Sequence, residues 1–327
     1  MNNKEDDNYS AAGTGSVVGS WIAALLMIAA TAFLIPPLTP EAEFGLLFSF
    51  PSVWMPSEYS ILANTLLIAA AVIGAALLNK KYSFVRSSDT ILPTAMTVIL
   101  ASNPVNTSYL GSPVFMLIVN LICLDIIMRS YHSPNATTSL FAIATWLSFG
   151  SMVQYAFLLM MLVYPVMAIM IKAFRLKEII AYLMGLVAPY WVAYGFGLVS
   201  VADFRLPSLP MSPPAADGGL MLCIFVSLGT LALLGLFTVL NNAMLTYSGN
   251  MRVRTLNRII NFLGFASLVF MVADFDNFGA YAATFCFASA VQISNAFALR
   301  RIPHGAVWLW SVLSIFIFCF LMMLLAV

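Results

Sequence analysis

Charged side chains are scarce in this sequence. Lys, Arg, Asp and Glu make up 8% of the 327 residues, and apolar residues make up 62%, whereas a soluble domain has about 25% charged residues. No water-soluble fold could bury so much apolar surface, so the composition excludes a soluble protein. The apolar runs have the length of helices, which excludes the short alternating strands of a membrane barrel. We therefore predict an all-α, polytopic transmembrane bundle.

Residues that bind metals or take part in redox chemistry are also few. The chain has two histidines and four cysteines, and the cysteines are far apart within apolar runs, so there is no CxxC or Cys/His ligand set. It lacks a glycine-rich phosphate loop and the HExxH and GxSxG motifs. We identify no cofactor, and nucleic acid is not an expected partner.

The chain divides into a polar tail and one long apolar domain. We predict that residues 1–16 form a disordered cytoplasmic tail. Residues 17–327 are predicted to form a single transmembrane domain. The predicted helical segments are Val17–Ile35, Ile61–Leu78, Ile91–Ala101, Pro113–Met128, Leu140–Gly150, Tyr155–Ile171, Ile179–Val201, Leu220–Leu240, Ile259–Ala273, Ala280–Leu299 and Ala306–Leu325.

Two neighbouring hairpins between residues 90 and 172 each begin with a short arm. Ile91–Ala101 and Leu140–Gly150 have about half of the roughly 20 residues that a crossing needs. Polar breaks follow them at Ser102–Ser112 and Ser151–Gln154. Short, interrupted segments at matching places indicate a site inside the bundle. If both arms cross there are about 11 spans, and if both are re-entrant there are 9.

Basic residues predict the orientation. With 11 spans, 13 of the 14 Lys and Arg residues lie on one side, and only Arg205 lies on the other. The positive-inside rule makes the basic side cytoplasmic. The amino terminus is then cytoplasmic and the carboxyl terminus periplasmic in a bacterial inner membrane. The alternative with 9 spans moves only Arg129 and His132 to the other side.

Acidic residues are the candidate catalytic and metal-binding groups. Glu41, Glu43 and Glu58 lie in the first external loop and are candidate general bases. Asp274 and Asp276 follow the ninth span and could ligate a divalent cation, which prefers oxygen ligands. Alternatively, these acids are only the counterpart of the basic cytoplasmic side.

Polar groups within the spans are the second set of candidates. Asp125 and Arg129 are one helical turn apart, which predicts a structural ion pair, with a proton relay as the alternative.

Asn103, Asn106 and Gln154, together with the external Arg205, are candidate substrate-binding residues that could line a wet cavity. The alternative is that these polar groups hydrogen-bond between packed helices.

Several short features between residues 60 and 200 form a recognisable pattern: Asn79-Lys80-Lys81, Asp125–Arg129, Ala144–Trp146, Phe149–Gln154, Arg175-Leu176-Lys177-Glu178 and Tyr194-Gly195-Phe196. With these features, residues 60–200 resemble an uncharacterised family, a domain of unknown function, of polytopic inner-membrane proteins found in bacteroidetes. The family has no established activity to assign to residues of this chain.

The layout more distantly resembles the multispanning polyprenyl-phosphate-sugar glycosyltransferases and glycan polymerases. Those enzymes have an acid and an interfacial helix in the first external loop, with short paired helices after it. Glu41 or Glu43 would take the place of the acid, and residues 41–48 would form the helix. Such enzymes hold a phosphate externally with cations, and here only Arg205 is available, so a divalent cation would have to replace the missing charge.

We therefore expect an inner-membrane protein of cell-envelope biogenesis with glycosyltransferase-like or polymerase-like architecture. Its expected partners are membrane lipids and a polyprenyl-phosphate-linked glycan, and whether it is an enzyme stays open. One alternative is a transporter or flippase with a polar cavity around Asn103–Ser108 and Ser151–Gln154. The other is a non-catalytic membrane subunit, whose polar residues would satisfy one another.

Labelling of single cysteines in intact cells tests the number of crossings. With 11 crossings, an impermeant thiol reagent added outside should leave a cysteine at Ser133 unlabelled, and Ser108 lies on the same side of the membrane as the reagent. The opposite pattern, with Ser133 labelled and Ser108 protected, would replace the eleven-crossing topology with nine crossings.

Overall fold

The structure is a computed structural model, and all of the regular elements that it describes are helices. Its described residues contain no strand and form twelve α-helices and one 3-10 helix, which confirms the predicted all-α polytopic bundle. The described residues are 14–35, 45–48, 56–85, 90–131, 136–173, 175–200, 218–246, 251–299 and 305–326.

The helices are numbered in chain order, and the 3-10 helix Phe275–Asn277 lies between the tenth and the eleventh. They are α1 (Thr14–Leu34), α2 (Ser57–Tyr82), α3 (Ile91–Ala101), α4 (Pro104–Thr107), α5 (Ser112–Arg129), α6 (Ala136–Val153), α7 (Ala156–Met170), α8 (Leu176–Gly195), α9 (Gly218–Thr246), α10 (Met251–Ala273), α11 (Phe278–Leu299) and α12 (Gly305–Leu325).

Every predicted segment contains a helix, but several predicted boundaries are wrong: α8, for example, ends at Gly195 and not at Val201. The second short arm is not short, because α6 has 18 residues and is about 27 Å long. Its polar ends stay helical: Ser151 Oγ, for example, donates to the Ser148 carbonyl (2.7 Å). The polar stretch 241–258 is mostly helical too, since α9 continues to Thr246 and α10 begins at Met251.

The length and apolar character of the helices identify a multi-pass membrane protein. Eight of the described helices are long and apolar enough to cross a bilayer, whereas α3 and α7 are apolar but shorter. The remaining long helix, α11, carries Thr, Ser, Gln and Asn side chains among its apolar residues.

Contacts at the two ends of the bundle show that the first short arm runs from one end to the other. Lys81 at the end of α2 binds Asp125 near the end of α5 (Nζ–Oδ1 2.7 Å), and we call this the Asp125 end. Leu110 N, just before α5, donates to Ser60 Oγ at the start of α2 (2.7 Å). The chain therefore crosses the bundle through α3 and α4 between Tyr82 and Leu110.

The second hairpin also crosses twice. Gln154 after α6 contacts Ser112 at the start of α5 (Nε2–Oγ 3.5 Å), and we call this the Gln154 end. Thr137 at the start of α6 donates to Glu178 Oε1 at the start of α8 (3.3 Å). The chain thus reaches the Gln154 end through α6 and returns through α7. These contacts favour eleven passages over nine.

Basic residues lie near one end of this bundle. Among the described residues, the Lys and Arg side chains all belong to segments that begin or finish at the Asp125 end: Lys80, Lys81, Arg129, Lys172, Arg175, Lys177, Arg252, Arg254 and Arg258. Asp274 and Asp276 lie in the turn between α10 and α11, at the Gln154 end. The positive-inside rule predicts that the Asp125 end is cytoplasmic.

The long helix α11, which carries Thr, Ser, Gln and Asn side chains, is enclosed by α3, α5, α9 and α10. Its residues 280–295 are all buried. Small side chains allow the neighbours to come close: a Cβ built on Gly264 would lie 2.6 Å from the Ala288 Cβ, and one on Gly235 would lie 3.1 Å from Ser289 Oγ. The polar helix is therefore shielded from lipid by the other helices.

A proline inside α7 is compensated by a neighbouring helix. Pro165 has no N–H, so the Met161 carbonyl one turn earlier loses its normal helical donor. The buried Tyr182 of α8 donates its hydroxyl to that carbonyl (2.6 Å). The Met161 carbonyl therefore receives a hydrogen bond from the neighbouring helix, as a backbone group in apolar surroundings requires.

We predict that Tyr182→Phe lowers the thermal stability of the purified protein by about 0.5–2 kcal/mol, because the Met161 carbonyl loses its donor. The loss should be smaller in a Pro165→Ala background, where the backbone N–H restored by the substitution supplies the missing helical bond. A thermal-unfolding double-mutant cycle checks this. Equal losses in both backgrounds would contradict the assigned role of Tyr182.

Candidate functional site

The first part of the candidate site is the break between α3 and α4. Pro104 disfavours a helical conformation for Asn103, which adopts φ −110° and ψ 114°. Asn103 Oδ1 accepts a hydrogen bond from Val105 N (3.0 Å) and caps α4. Ser102 to Ser108 are all buried. The irregular backbone is therefore enclosed by protein, the condition under which membranes tolerate it.

The second part is the junction of α6 and α7 at Gln154. Gln154 Nε2 donates to Asn277 Oδ1 (3.1 Å), just before α11, and to Ser112 Oγ (3.5 Å), at the start of α5. One amide thus connects the amino-terminal ends of α5, α7 and α11. The two breaks are neighbours, because a Cβ built on Gly279 of α11 would lie 2.9 Å from Val105 Cγ1 of α4.

A piece of the first loop also reaches this junction. Leu46 N donates to the Ser151 carbonyl (3.0 Å), and Leu47 N donates to the Met152 carbonyl (3.1 Å). These bonds satisfy carbonyls at the end of α6, which have no partner within the helix. Residues 45–48 form a bend, so at these positions the predicted interfacial helix is absent.

Five buried side chains at the two breaks form what we call the amide cluster: Asn64, Asn103, Asn106, Ser108 and Gln154. Asn64 joins from α2, where its Nδ2 donates to the Asn106 carbonyl (2.8 Å). One atom of each finds no hydrogen-bond partner in the part of the chain that the structure describes: Asn64 Oδ1, Asn103 Nδ2, Asn106 Oδ1, Ser108 Oγ and Gln154 Oε1. Each unpaired buried atom costs about 1–3 kcal/mol, so packing alone does not explain the cluster.

The side-chain amides of Asn64, Asn103 and Asn106 each have a fixed orientation, because each has a partner that can only donate or only accept a hydrogen bond. Asn64 Nδ2 and Asn106 Nδ2 each point to a backbone carbonyl, that of Asn106 at 2.8 Å and that of Leu100 at 3.3 Å. Asn103 Oδ1 faces the Val105 N–H. A carbonyl only accepts and an N–H only donates, so rotating these amides by 180° would break each bond.

The turn between α10 and α11 fixes the orientation of Gln154 in the same way. Asp274 accepts from Asn277 Nδ2 at Oδ1 (2.9 Å) and from the Tyr281 hydroxyl at Oδ2 (2.9 Å). Because Asn277 donates its Nδ2 to a carboxylate oxygen of Asp274, it presents its Oδ1 to Gln154 Nε2. Gln154 Oε1 is therefore the unpaired atom, and the cluster has three unpaired amide oxygens but one unpaired amide nitrogen.

Asp274 and Asp276, the predicted ligands of a divalent cation, both lie in this turn. Within the described ranges, no three His, Cys, Asp or Glu side chains are close enough together to hold a metal ion. Burial, and secondly the negative charge of Asp274, raise the pKa of the Asp276 carboxyl. The described residues alone therefore do not form a divalent-cation site.

A second buried polar group, deeper in the bundle, is fully paired. Tyr164 OH donates to Asn120 Oδ1 (2.8 Å), and Asn120 Nδ2 donates to Thr284 Oγ1 of α11 (3.0 Å). All three side chains are buried. This trio provides the interhelical bonding expected of structural polar groups, and the amide cluster differs from it.

Asp125 is the centre of the ion-pair group at the opposite end. Its carboxylate accepts from Lys81 Nζ (2.7 Å), from the Tyr82 hydroxyl (2.8 Å) and from Arg129. The guanidinium of Arg252 on α10 lies 6.0 Å from the centroid of the Tyr82 ring. The predicted Asp125–Arg129 pair is thus part of a larger group, and helical spacing within α5 gave no sign of Lys81.

The structure describes some of the predicted site residues and not others. Glu41, Glu43 and Arg205 lie outside the described residues, and Glu58 is in the first turn of α2, with its side chain outside the description. Their convergence on an external pocket stays a prediction. Asn64 and Asn277 were not among the site residues predicted from the sequence. A lone amide within an apolar span was the available signal for Asn64.

Comparison of this chain with protein-family models, with curated proteins and with solved structures finds no match in any of the three. The geometry of the bundle is therefore the basis on which a function can be proposed.

We predict that Asp125→Asn lowers the thermal stability by about 1–2 kcal/mol, because Lys81 and Arg129 lose their shared counter-charge. The difference from wild type should shrink in high salt, which screens charges at this partly exposed site. Thermal unfolding at two ionic strengths measures both effects.

Asp276→Asn is the matched control, since it removes an equal charge from a carboxylate whose neighbour Asp274 repels it. It should leave stability unchanged or raise it. A similar loss for both variants would mean that the effect comes from the change in net charge and not from the pairing of Asp125 with Lys81 and Arg129.

Proposed function

We propose that this protein is a membrane transport protein that binds a small polar solute at the amide cluster. The observation that carries the proposal is the set of five unpaired, buried polar atoms at two neighbouring helix breaks within the described chain. Interrupted helices form the solute sites of many transporters, where the freed polar groups face the ligand. The fully paired Asn120 trio of the same bundle argues against a purely structural explanation.

Polar contacts along α11 support a route for such a solute. Near the Gln154 end, Asn106 Nδ2 approaches Cys286 Sγ (3.8 Å). Near the Asp125 end, Gln292 Oε1 accepts from Asn242 Nδ2 (3.1 Å), and Asn295 Nδ2 donates to Asn257 on α10 (3.2 Å). The enclosed helix thus presents polar groups near both ends. A polar solute could exchange hydrogen bonds with them during its passage.

The chemistry of the amide cluster indicates the kind of solute. Its members are amides and one hydroxyl, none of which ionises near neutral pH. They can offer and accept hydrogen bonds, and they bring no fixed charge to hold a strongly anionic group. We therefore propose a small, hydrogen-bonding solute that carries no net negative charge.

An envelope-glycan enzyme is the second candidate function, in line with the resemblance to polyprenyl-phosphate-sugar glycosyltransferases. The observation that favours it is the docking of residues 45–48 beside Gln154, since Glu41 and Glu43 immediately precede this segment in sequence. Asp274 lies at the same end. Amides and carboxylates together can bind sugar hydroxyls, and one of these acids would be the general base.

For both functions we propose a bacterial inner-membrane location with the Asp125 end in the cytoplasm. The support is the gathering of the described Lys and Arg residues near that end. The amide cluster would then be nearer to the periplasmic side, where a solute or an external glycan could enter.

Two serine variants separate binding from folding. Ser108 Oγ has no partner in the described chain, whereas Ser294 Oγ donates to the Ala290 carbonyl (2.6 Å). Ser108→Ala should leave the unliganded protein as stable as wild type or more stable, because it removes an unpaired polar atom. The same change should reduce the thermal shift caused by a bound solute.

The measurement is a thermal-shift screen of neutral and zwitterionic solutes on the purified protein in nanodiscs. Ser294→Ala is the control: it should lower stability by about 0.5–1.5 kcal/mol and keep the solute-induced shift. Binding of an isolated polyprenyl-phosphate sugar with no small solute would favour the glycan enzyme. If no ligand gives a shift that depends on Ser108, the proposed function fails and a non-catalytic subunit becomes the better account.

A further inference from the structure

We infer that the Asn64–Asn106 part of the amide cluster binds a monovalent cation, an inference that rests on the transport function proposed above. Asn64 and Asn106 are each 1% exposed. Their side-chain nitrogens are bound to backbone carbonyls at 2.8 Å and 3.3 Å, which leaves both Oδ1 atoms unpaired among the residues described. Carbonyl oxygens of this kind solvate Na⁺, K⁺ or an ammonium group.

The end of α3 adds negative potential at the same place. The helix ends at Ala101, and the Leu100 carbonyl accepts from Asn106 Nδ2 (3.3 Å). The last carbonyls of a helix carry partial negative charge, and the carboxyl-terminal ends of interrupted membrane helices are where coupling cations bind. Asn106 therefore brings an unpaired oxygen to the negative end of a half-helix.

Longer-range charge favours a cation as well. Asp274 and Asp276 lie at the Gln154 end, and the Lys and Arg residues within the described ranges belong to the opposite end. With low-dielectric protein and lipid around them, these formal charges contribute a negative potential at the cluster. It would repel an anion and attract a cation.

The side chains of the amide cluster favour a monovalent cation over a divalent one. A divalent cation usually needs carboxylate ligands, and the cluster consists of neutral amides and one hydroxyl. A monovalent cation requires less charge compensation, so neutral oxygens suffice. The cation would bind next to the solute and link solute uptake to its own gradient.

Cation-dependent thermal unfolding tests the inference. The full-length protein in nanodiscs is heated in choline chloride, NaCl, KCl or NH₄Cl at equal concentration, so that ionic strength is constant. Relative to choline, at least one of the other three cations should raise the unfolding temperature in a saturable way. Which salt acts distinguishes an inorganic ion from an ammonium group.

Two substitutions at Asn64 should act in opposite directions. Asn64→Leu removes the oxygen and should raise the half-saturating cation concentration at least about tenfold. Asn64→Asp keeps an oxygen and adds a negative charge, so it should lower that concentration, and it remains informative if the leucine variant does not fold. Asn295→Asp, with the same added charge at the Asp125 end, is the matched control and should leave the concentration unchanged.

Equal unfolding temperatures in all four salts would overturn the inference, and the two amide oxygens would then be hydrated by buried water. Identical responses of Asn64→Asp and Asn295→Asp would overturn it too, because the effect would be one of net charge. If the cation has no effect but Ser108→Ala still removes a solute-induced shift, the proposed transport function stands. If that shift is absent as well, both proposals fail.

Discussion

The bilayer interior offers no hydrogen bonds, so each polar group within it has to find its partner in the protein. This constraint explains the arrangement of the helices around α11. The central helix carries Thr284, Gln292 and Asn295, and four other helices enclose it. Apolar helices can face lipid directly, and their own backbones are satisfied internally. Where Pro165 removes a backbone donor, a tyrosine of the next helix replaces it.

Against this background, the amide cluster is informative because five of the unpaired buried side-chain atoms of the described chain lie together there. The Asn120 trio shows that buried amides in this bundle can be paired completely, whereas five polar atoms around the breaks at Asn103 and Gln154 remain unpaired in the described chain. Such unpaired groups lower stability, and proteins retain costs of this kind mainly at functional sites. A ligand that satisfies these atoms gives a physical reason for their presence at a helix break, where backbone irregularity already opens the packing.

The sequence predicted which segments are helices, because a run of apolar residues is a local property. It underestimated α6, whose terminal Thr and Ser residues resemble a break but bond within the helix and to α8. The site was predicted only in part. Asn103, Asn106 and Gln154 were identified from their place after short arms, but the Gln154–Asn277 bond joins residues 123 positions apart. Likewise, Lys81 and Asp125 are 44 positions apart in the sequence. Pairings of this kind depend on tertiary packing, on which local composition carries no information.

The proposed function requires that the unpaired atoms of the amide cluster face a ligand and not one another. The most direct measurement is a high-resolution cryo-electron microscopy map of the protein in lipid. We expect non-protein density within hydrogen-bonding distance of Asn64 Oδ1, Asn106 Oδ1 or Gln154 Oε1. A map in which these amides bond to neighbouring side chains, with continuous protein packing around them, would contradict it.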